Sequence, residues 1–109
     1  YGPHFKEIGQ RFGPIDIALL DTGQYNFRWQ TVHMLPKQSL QAAQDLDAHI
    51  MMPVHWGAFT LSLHPWDEPA EQTRLLAQQQ DQAFVIPRIG ELMRLLHEPI
   101  VRGPWWQKY

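Results

Sequence analysis

Two short apolar runs with a helical pattern between them limit this chain to a small set of folds. The runs are residues 15–20, Ile-Asp-Ile-Ala-Leu-Leu, and residues 50–54, Ile-Met-Met-Pro-Val. Each has the length and composition of a mostly buried strand. Residues 36–46 space their apolar side chains as one helical face, and Pro36 suits the first turn of a helix. A strand, a helix and a strand predict a parallel βαβ unit, and therefore an α/β fold.

Helical patterns also flank this unit. Residues 3–12 space three apolar side chains as one face and predict a helix. The run Asp67-Glu68-Pro69 is a helix start signal, and we expect the helix to continue to about residue 82 with Leu75 and Leu76 facing inward. Residues 83–86, Ala-Phe-Val-Ile, predict a third short strand.

Composition excludes several classes of protein. The 109 residues correspond to one domain, and the net charge of −2 argues against a nucleic-acid or membrane-surface partner. Cysteine is absent, so disulfides and thiolate metal sites are excluded, and any metal ligands must be imidazole or carboxylate groups. We expect no transmembrane segment and a cytoplasmic location. Because the chain begins without methionine, we expect it to be a piece of a longer protein.

The most prominent of the six histidines is His55, which follows the second apolar run directly. Chemistry in parallel sheets gathers where strands end in loops, and Gly57 lets the chain turn sharply just after it. A neutral imidazole held there suits a zinc ligand. From local spacing alone the alternative, a structural histidine, is favoured.

Runs along most of the chain resemble one known family, the branch of the metallo-β-lactamase fold that contains N-acylphosphatidylethanolamine-hydrolysing phospholipase D and related bacterial hydrolases. The resemblance covers residues 1 to about 89. It is carried by residues 1–9 and 11–16, Gly23-Gln24-Tyr25-Asn26, His33-Met34-Leu35-Pro36, Pro53-Val54-His55-Trp56-Gly57-Ala58-Phe59 and Trp66-Asp67-Glu68-Pro69. These runs fall in the order that the family has, which makes the likeness specific.

The resemblance implies a four-layer αββα sandwich with a dinuclear metal site, usually zinc, between its two sheets. It places His55 at the final histidine ligand of that site. The family's other ligands, a His-x-His-x-Asp-His motif, a later histidine and a bridging aspartate, are absent from this sequence. Residues 1–109 are therefore expected to be the C-terminal part of the domain, with His55 as its one metal ligand and with weak or no metal binding alone.

The resemblance implies further roles in the cleft. A histidine in a His-x-x-Pro run faces the metal cleft in this family, which assigns His33 to the substrate or leaving-group side. From the sequence alone, a histidine packed at the start of a helix is an equal alternative for His33. Tyr25 and Asn26 are candidate substrate-binding residues, with a plain role in a turn as their alternative.

The activity implied is zinc-dependent hydrolysis of a phosphodiester, lactone or related ester through a metal-bound hydroxide. The substrate would be a small molecule or a phospholipid-like ester. A different reading is a non-catalytic module that self-associates, because half a sandwich exposes the sheet face that would meet the other half and so favours homo-oligomers.

Asp21-Thr22-Gly23 allows one more reading, since an apolar strand leading into Asp-Thr-Gly is similar to the aspartic proteases. Two such carboxylates from a homodimer would share one proton. Gln24 stands where a small residue is expected, and the chain has too much helix for that class. The favoured interpretation is that Asp21 ends the strand and organises the loop that leads to the cleft.

Overall fold

A computed structural model describes residues 1–94 and 104–109, and its elements follow the predicted order. The helices are α1 (His4–Phe12), α2 (Pro36–Asp45) and α3 (Glu68–Gln79), and the strands are β1 (Ile15–Asp21) and β2 (Ala48–Val54). Two short 3-10 helices add Phe27–Trp29 and Trp105–Lys108. None of the helices in the described ranges has the length and apolarity that a bilayer-spanning segment needs.

The two strands pair in parallel, which confirms the predicted βαβ unit. Their register runs without a break from Ala18 opposite Met51 to Asp21 opposite Val54. Helix α2 forms the crossover and buries Leu40 against the sheet face that carries Ala18 and Met51. Burying a side chain of this size stabilises the fold by about 1.5–3 kcal/mol. The sheet face that α2 covers is therefore the core side of the sheet.

The third strand expected at residues 83–86 is reduced to a single parallel bridge between Met51 and Phe84. The backbone N–H of Met51 donates to the Ala83 carbonyl at 2.9 Å, and the N–H of Val85 donates to the Met51 carbonyl at 2.9 Å. The part of the chain that the structure describes therefore contains one two-stranded sheet with helices packed against it. The fold is mixed helix and strand, and the four-layer sandwich remains an expectation.

Helix α3 differs from its prediction in two respects. It ends at Gln79 rather than near residue 82, because Asp81 adopts a left-handed backbone with φ 54°. Its buried positions are Pro69, Ala70, Thr73 and Ala77, and the last three are spaced as one helical face. Leu76 borders that face and packs on the core, whereas Leu75 points to solvent, so the inward prediction is wrong for Leu75.

Helix α1 rests on α2 through a close backbone approach. A Cβ at Gly9 would lie 2.1 Å from the Asp45 carbonyl oxygen, so only glycine allows this contact. Phe5 packs against the core cluster, but Ile8 and Phe12 of the predicted apolar face are exposed. The helix is therefore correct, and its apolar face is only partly covered by the described residues.

Candidate metal centre

The carboxyl ends of the two strands bring Asp21 and His55 to the same edge of the sheet. Asp21 is the last residue of β1 and pairs with Val54, the residue before His55. The ladder closes with the N–H of Thr22 donating to the Val54 carbonyl at 3.1 Å. Parallel strands end at one edge by construction, so the sequence pattern that predicts the βαβ unit also places these two residues together.

The backbone holds His55 in a conformation that few non-glycine residues adopt. Its φ is +67°, and Gly57 follows with φ +80°. Left-handed residues of this kind cost free energy and cluster at functional sites. Gly23 packs directly against this turn, since a Cβ there would lie 2.0 Å from the His55 carbonyl oxygen. The imidazole of His55 is exposed at the end of a fixed backbone.

His33 reaches the same edge from the loop that leads into α2. The carboxylate oxygen Oδ2 of Asp21 accepts the backbone N–H of Met34 at 3.1 Å and lies 3.3 Å from Nδ1 of His33. The carbonyl of Asp21 accepts a hydrogen bond from the buried Ser39 hydroxyl in α2. The rings of His33 and His55 stack with centroids 4.9 Å apart and an interplanar angle of 21°.

Asp21, His33 and His55 thus form a group whose ligand atoms, one from each residue, all lie within 4.8 Å of one another. The other carboxylate oxygen of Asp21, Oδ1, is buried and has no hydrogen-bond partner among the described residues. A buried carboxylate oxygen is costly unless a hydrogen-bond donor or a cation lies beside it, so Oδ1 has room for such a partner. Two imidazoles and a carboxylate are a typical zinc set, so these residues fit a metal ion.

A cleft opens beside this group. It has a volume of about 240 Å³ and is lined by Gln24, Trp29, Val32, His33, His55 and Leu61. Gln24 lines the cleft and holds the segment that carries Leu61, donating from Nε2 to the Phe59 carbonyl at 2.7 Å and accepting the Leu61 N–H at 3.1 Å. Val32 and Leu61 line the cleft and leave most of their surface exposed, so the mouth of the cleft is apolar.

The two candidate substrate-binding residues have structural contacts in the loop after β1. The Tyr25 hydroxyl donates to Glu68, and its ring stacks on His64 with centroids 4.4 Å apart. Burial, and then this hydrogen bond to Glu68, raises the pKa of Tyr25. The Asn26 side chain accepts the Arg28 N–H at 3.0 Å and caps the short 3-10 helix. A substrate role for either residue stays a prediction.

Sequence reasoning brought His55 and His33 to the cleft but missed Asp21 as a potential ligand. It expected His55 to be alone, and the structure places beside it two further side chains, of Asp21 and His33, that could ligate a metal ion. The signal was available in part, because Asp21 ends the strand that pairs with the strand of His55. Within the described ranges Asp21 lies beside His33. The aspartic protease reading, whose second carboxylate would come from another subunit, is not better supported than the hydrolase reading.

Comparison with known proteins gives consistent matches. The sequence model of the family described as "Beta-lactamase superfamily domain" matches residues 1–56. An uncharacterized protein of Mycobacterium tuberculosis is 34% identical over 110 residues, which cover 98% of this chain and 29% of that protein. "Outer membrane protein RomA" of Klebsiella pneumoniae is 51% identical over 57 residues, 52% of this chain and 43% of that protein. The mitochondrial "N-acyl-phosphatidylethanolamine-hydrolyzing phospholipase D" of Saccharomyces cerevisiae is 39% identical over 77 residues, 68% of this chain and 16% of that protein. The chain spans less than half the length of each of these relatives.

Proposed function

Because the chain belongs to the family of β-lactamase superfamily domains, we propose that it forms the C-terminal part of a zinc-dependent hydrolase domain. The bond cleaved is that of a phosphodiester, a lactone or a related ester. The observation that carries this proposal is the group of Asp21, His33 and His55 at the carboxyl ends of the two strands. Strand ends of this kind are where parallel α/β sheets bind ligands and perform chemistry.

His55 holds the metal, because it presents an exposed imidazole from a backbone fixed by its own left-handed turn. Bound zinc would supply hydroxide near neutral pH by lowering the pKa of a water molecule. His33 serves the substrate side. Its Nε2 can donate to a phosphate oxygen or a leaving group, while its Nδ1 faces Oδ2 of Asp21 at 3.3 Å.

The substrate is proposed to be a phospholipid-like or other small ester with an apolar portion. The relative named as hydrolysing N-acyl-phosphatidylethanolamine supports this class. So do Val32 and Leu61, whose exposed apolar side chains border the cleft beside His33 and His55. A cytoplasmic location stays a prediction, since another relative is named an outer membrane protein.

The test is His55→Ala in the natural polypeptide that contains this chain, with His49→Ala as the matched control. His49 is an exposed histidine on the same strand, away from the strand end. We expect His55→Ala to remove one zinc equivalent and to lower hydrolysis by at least about a hundredfold, because a metal contributes several kcal/mol to such a transition state.

Zinc content is measured by elemental analysis, and rates are measured with N-acylphosphatidylethanolamine, a chromogenic phosphodiester and a lactone. His49→Ala should keep both the metal and the rate. A His55→Ala protein with unchanged zinc content and unchanged rates on all three substrates would refute the assignment.

A second candidate function is self-association through the open sheet face. Leu19 is 58% exposed, and its register partner Met52 and the neighbouring pair of Ile17 and Ile50 are half-buried on the same face. Exposed apolar faces of this kind favour association. Sedimentation of this chain should then show a dimer that Leu19→Lys converts to a monomer, and a wild-type monomer at every concentration would remove this candidate.

A further inference from the structure

The candidate centre holds more ligating groups than the single histidine expected from the sequence. We propose that Asp21, His33 and His55 together form a mononuclear site for a divalent metal of the zinc class, carried by this chain without ligands from elsewhere. The inference rests on the assignment of His55 as a metal ligand in the proposed function. It adds Asp21 and, through Nδ1, His33 to that ligand set, which leaves Nε2 of His33 for its role on the substrate side. It also predicts metal binding by this chain alone.

The distance between Asp21 and His33 is the first argument. Zinc binds carboxylate oxygen and imidazole nitrogen at about 2.0–2.1 Å, so two ligand atoms at a tetrahedral angle lie about 3.3 Å apart. Oδ2 of Asp21 and Nδ1 of His33 are separated by 3.3 Å. A strong charge-assisted hydrogen bond would be shorter, about 2.7–2.9 Å. The separation therefore matches two ligands of one ion better than it matches a tight ion pair.

The charge of Asp21 is the second argument. Its Oδ1 atom is buried without a hydrogen-bond partner, and its Oδ2 atom receives only the neutral Met34 N–H besides the contact with His33. Neither ion pair found in the described residues brings a lysine or arginine to this carboxylate. A partly buried carboxylate in such surroundings is stabilised by a cation, and the position between the two histidines is where a cation would have further ligands.

Preorganisation is the third argument. Asp21 is fixed by its strand and by the Ser39 hydroxyl on its carbonyl, and His33 is held by its own N–H on the Trp29 carbonyl at 3.3 Å. His55 is the movable member, because its ring is exposed and contacts the ring of His33 rather than the core, so a rotation about its side-chain torsions leaves the core in place. No two of the ligand atoms lie more than 4.8 Å apart, so no separation has to shorten by more than about 1.5 Å, which such a rotation provides.

The donor set specifies the class of metal. Two imidazoles with one carboxylate and no thiolate suit zinc and neighbouring transition metals, whereas magnesium prefers a shell of oxygen ligands. Three protein ligands also leave a coordination position open, as in catalytic rather than structural zinc sites. We therefore expect zinc and cobalt(II) to bind and magnesium not to compete with them.

The experiment titrates the 109-residue chain, freed of metal by chelation, with zinc in a calorimeter. The wild-type chain should bind one equivalent. Asp21→Asn, His33→Gln and His55→Gln should each raise the dissociation constant by more than the roughly 10–100-fold that follows loss of a residue that only orients a ligand. The matched controls are Asp16→Asn on the same strand as Asp21 and His49→Gln on the same strand as His55, both exposed, and they should bind like wild type.

Asp21 also accepts the Met34 N–H, so a second measurement keeps the inference testable if Asp21→Asn unfolds. In the wild-type chain, zinc should shift the ring resonances of both His33 and His55 in nuclear magnetic resonance spectra and leave those of His49 in place. Failure of the wild-type chain to bind one equivalent would overturn the inference, as would folded Asp21→Asn or His33→Gln chains that bind like wild type. If only His55→Gln loses zinc, the three-residue set is refuted while the proposed hydrolase site, tested by activity in the natural polypeptide, still stands.

Discussion

Gly23→Ala is a small change that should damage the metal centre without touching a ligand. Gly23 follows Asp21 by two residues and lies against the turn that carries His55. A Cβ at Gly23 would be 2.0 Å from the His55 carbonyl oxygen, 2.7 Å from its carbonyl carbon and 3.0 Å from the Trp56 Cα. All three atoms belong to the backbone, so no side chain can rotate away to make room.

The size of the effect follows from these distances. Side chains almost never approach closer than 3.0 Å in this way, so the turn at His55 has to move by about 1 Å. Overpacking of this kind costs about 1–3 kcal/mol of folding free energy. A displacement of about 1 Å at a reacting site costs on the order of a hundredfold in rate. Loss of the groups that orient a metal ligand lowers metal affinity by roughly 10–100-fold, and we expect zinc affinity to fall by the same factor in Gly23→Ala.

Zinc calorimetry and urea unfolding of the same protein measure both effects. Gly90→Ala is the matched control, because Gly90 has φ +82° and open space around its Cβ position. That variant should lose about 1–2 kcal/mol from backbone strain alone and bind zinc normally. If Gly23→Ala keeps wild-type zinc affinity and stability, the close packing of the Gly23 loop on the His55 turn is not what positions the ligand.

Two further variants test the packing around the centre. Gly9→Ala places a Cβ 2.1 Å from the Asp45 carbonyl oxygen, so it should destabilise the contact of α1 with α2 by about 1–3 kcal/mol in urea unfolding and leave zinc affinity unchanged; a parallel loss of zinc would contradict the separation of α1 from the site. Glu71 accepts hydrogen bonds from Arg74 in α3 and from Trp106 at 3.2 Å, and these bonds, chiefly those from Arg74, hold the pKa of Glu71 below its ordinary value of 4.5. Because the pKa is lowered in the folded state, the stabilisation is present above the ordinary value and is lost as the pH falls through the folded value. Glu71→Gln should therefore unfold about 1 kcal/mol more easily than wild type at neutral pH and equally easily in strong acid, and a difference that persists in acid would show that charge is not the cause.

The hydrophobic pattern predicted the regular elements because each is set by local spacing. Both strands and α2 came from apolar runs whose period is that of a buried strand or of a helical face. The short run at residues 83–86 has the same apolar composition but forms only a bridge at Met51. The length of this pairing depends on how the backbone lies against β2, which local composition does not determine. Leu75 and Leu76 are equally apolar, and only the exact phase of α3 against the core decides that Leu76 is the one that packs.

The candidate site was predictable up to the point where it depends on a loop. Strand order places Asp21 and His55 at one edge, and this follows from the βαβ pattern. The approach of His33 does not, because it depends on how the loop before α2 turns and on the Met34 N–H that binds the Asp21 carboxylate. No periodicity encodes that contact, which is why Asp21 was assigned to the loop and not to the group of ligands.

The most direct test of the central claim, that His55 is a metal ligand, is an anomalous difference map at the zinc absorption edge from crystals of this chain grown with zinc. The claim predicts a peak about 2.0–2.1 Å from a ring nitrogen of His55, with Asp21 and His33 as the other ligands if the three-residue set is correct. A map in which zinc occupies other positions and His55 has no peak within bonding distance would contradict it.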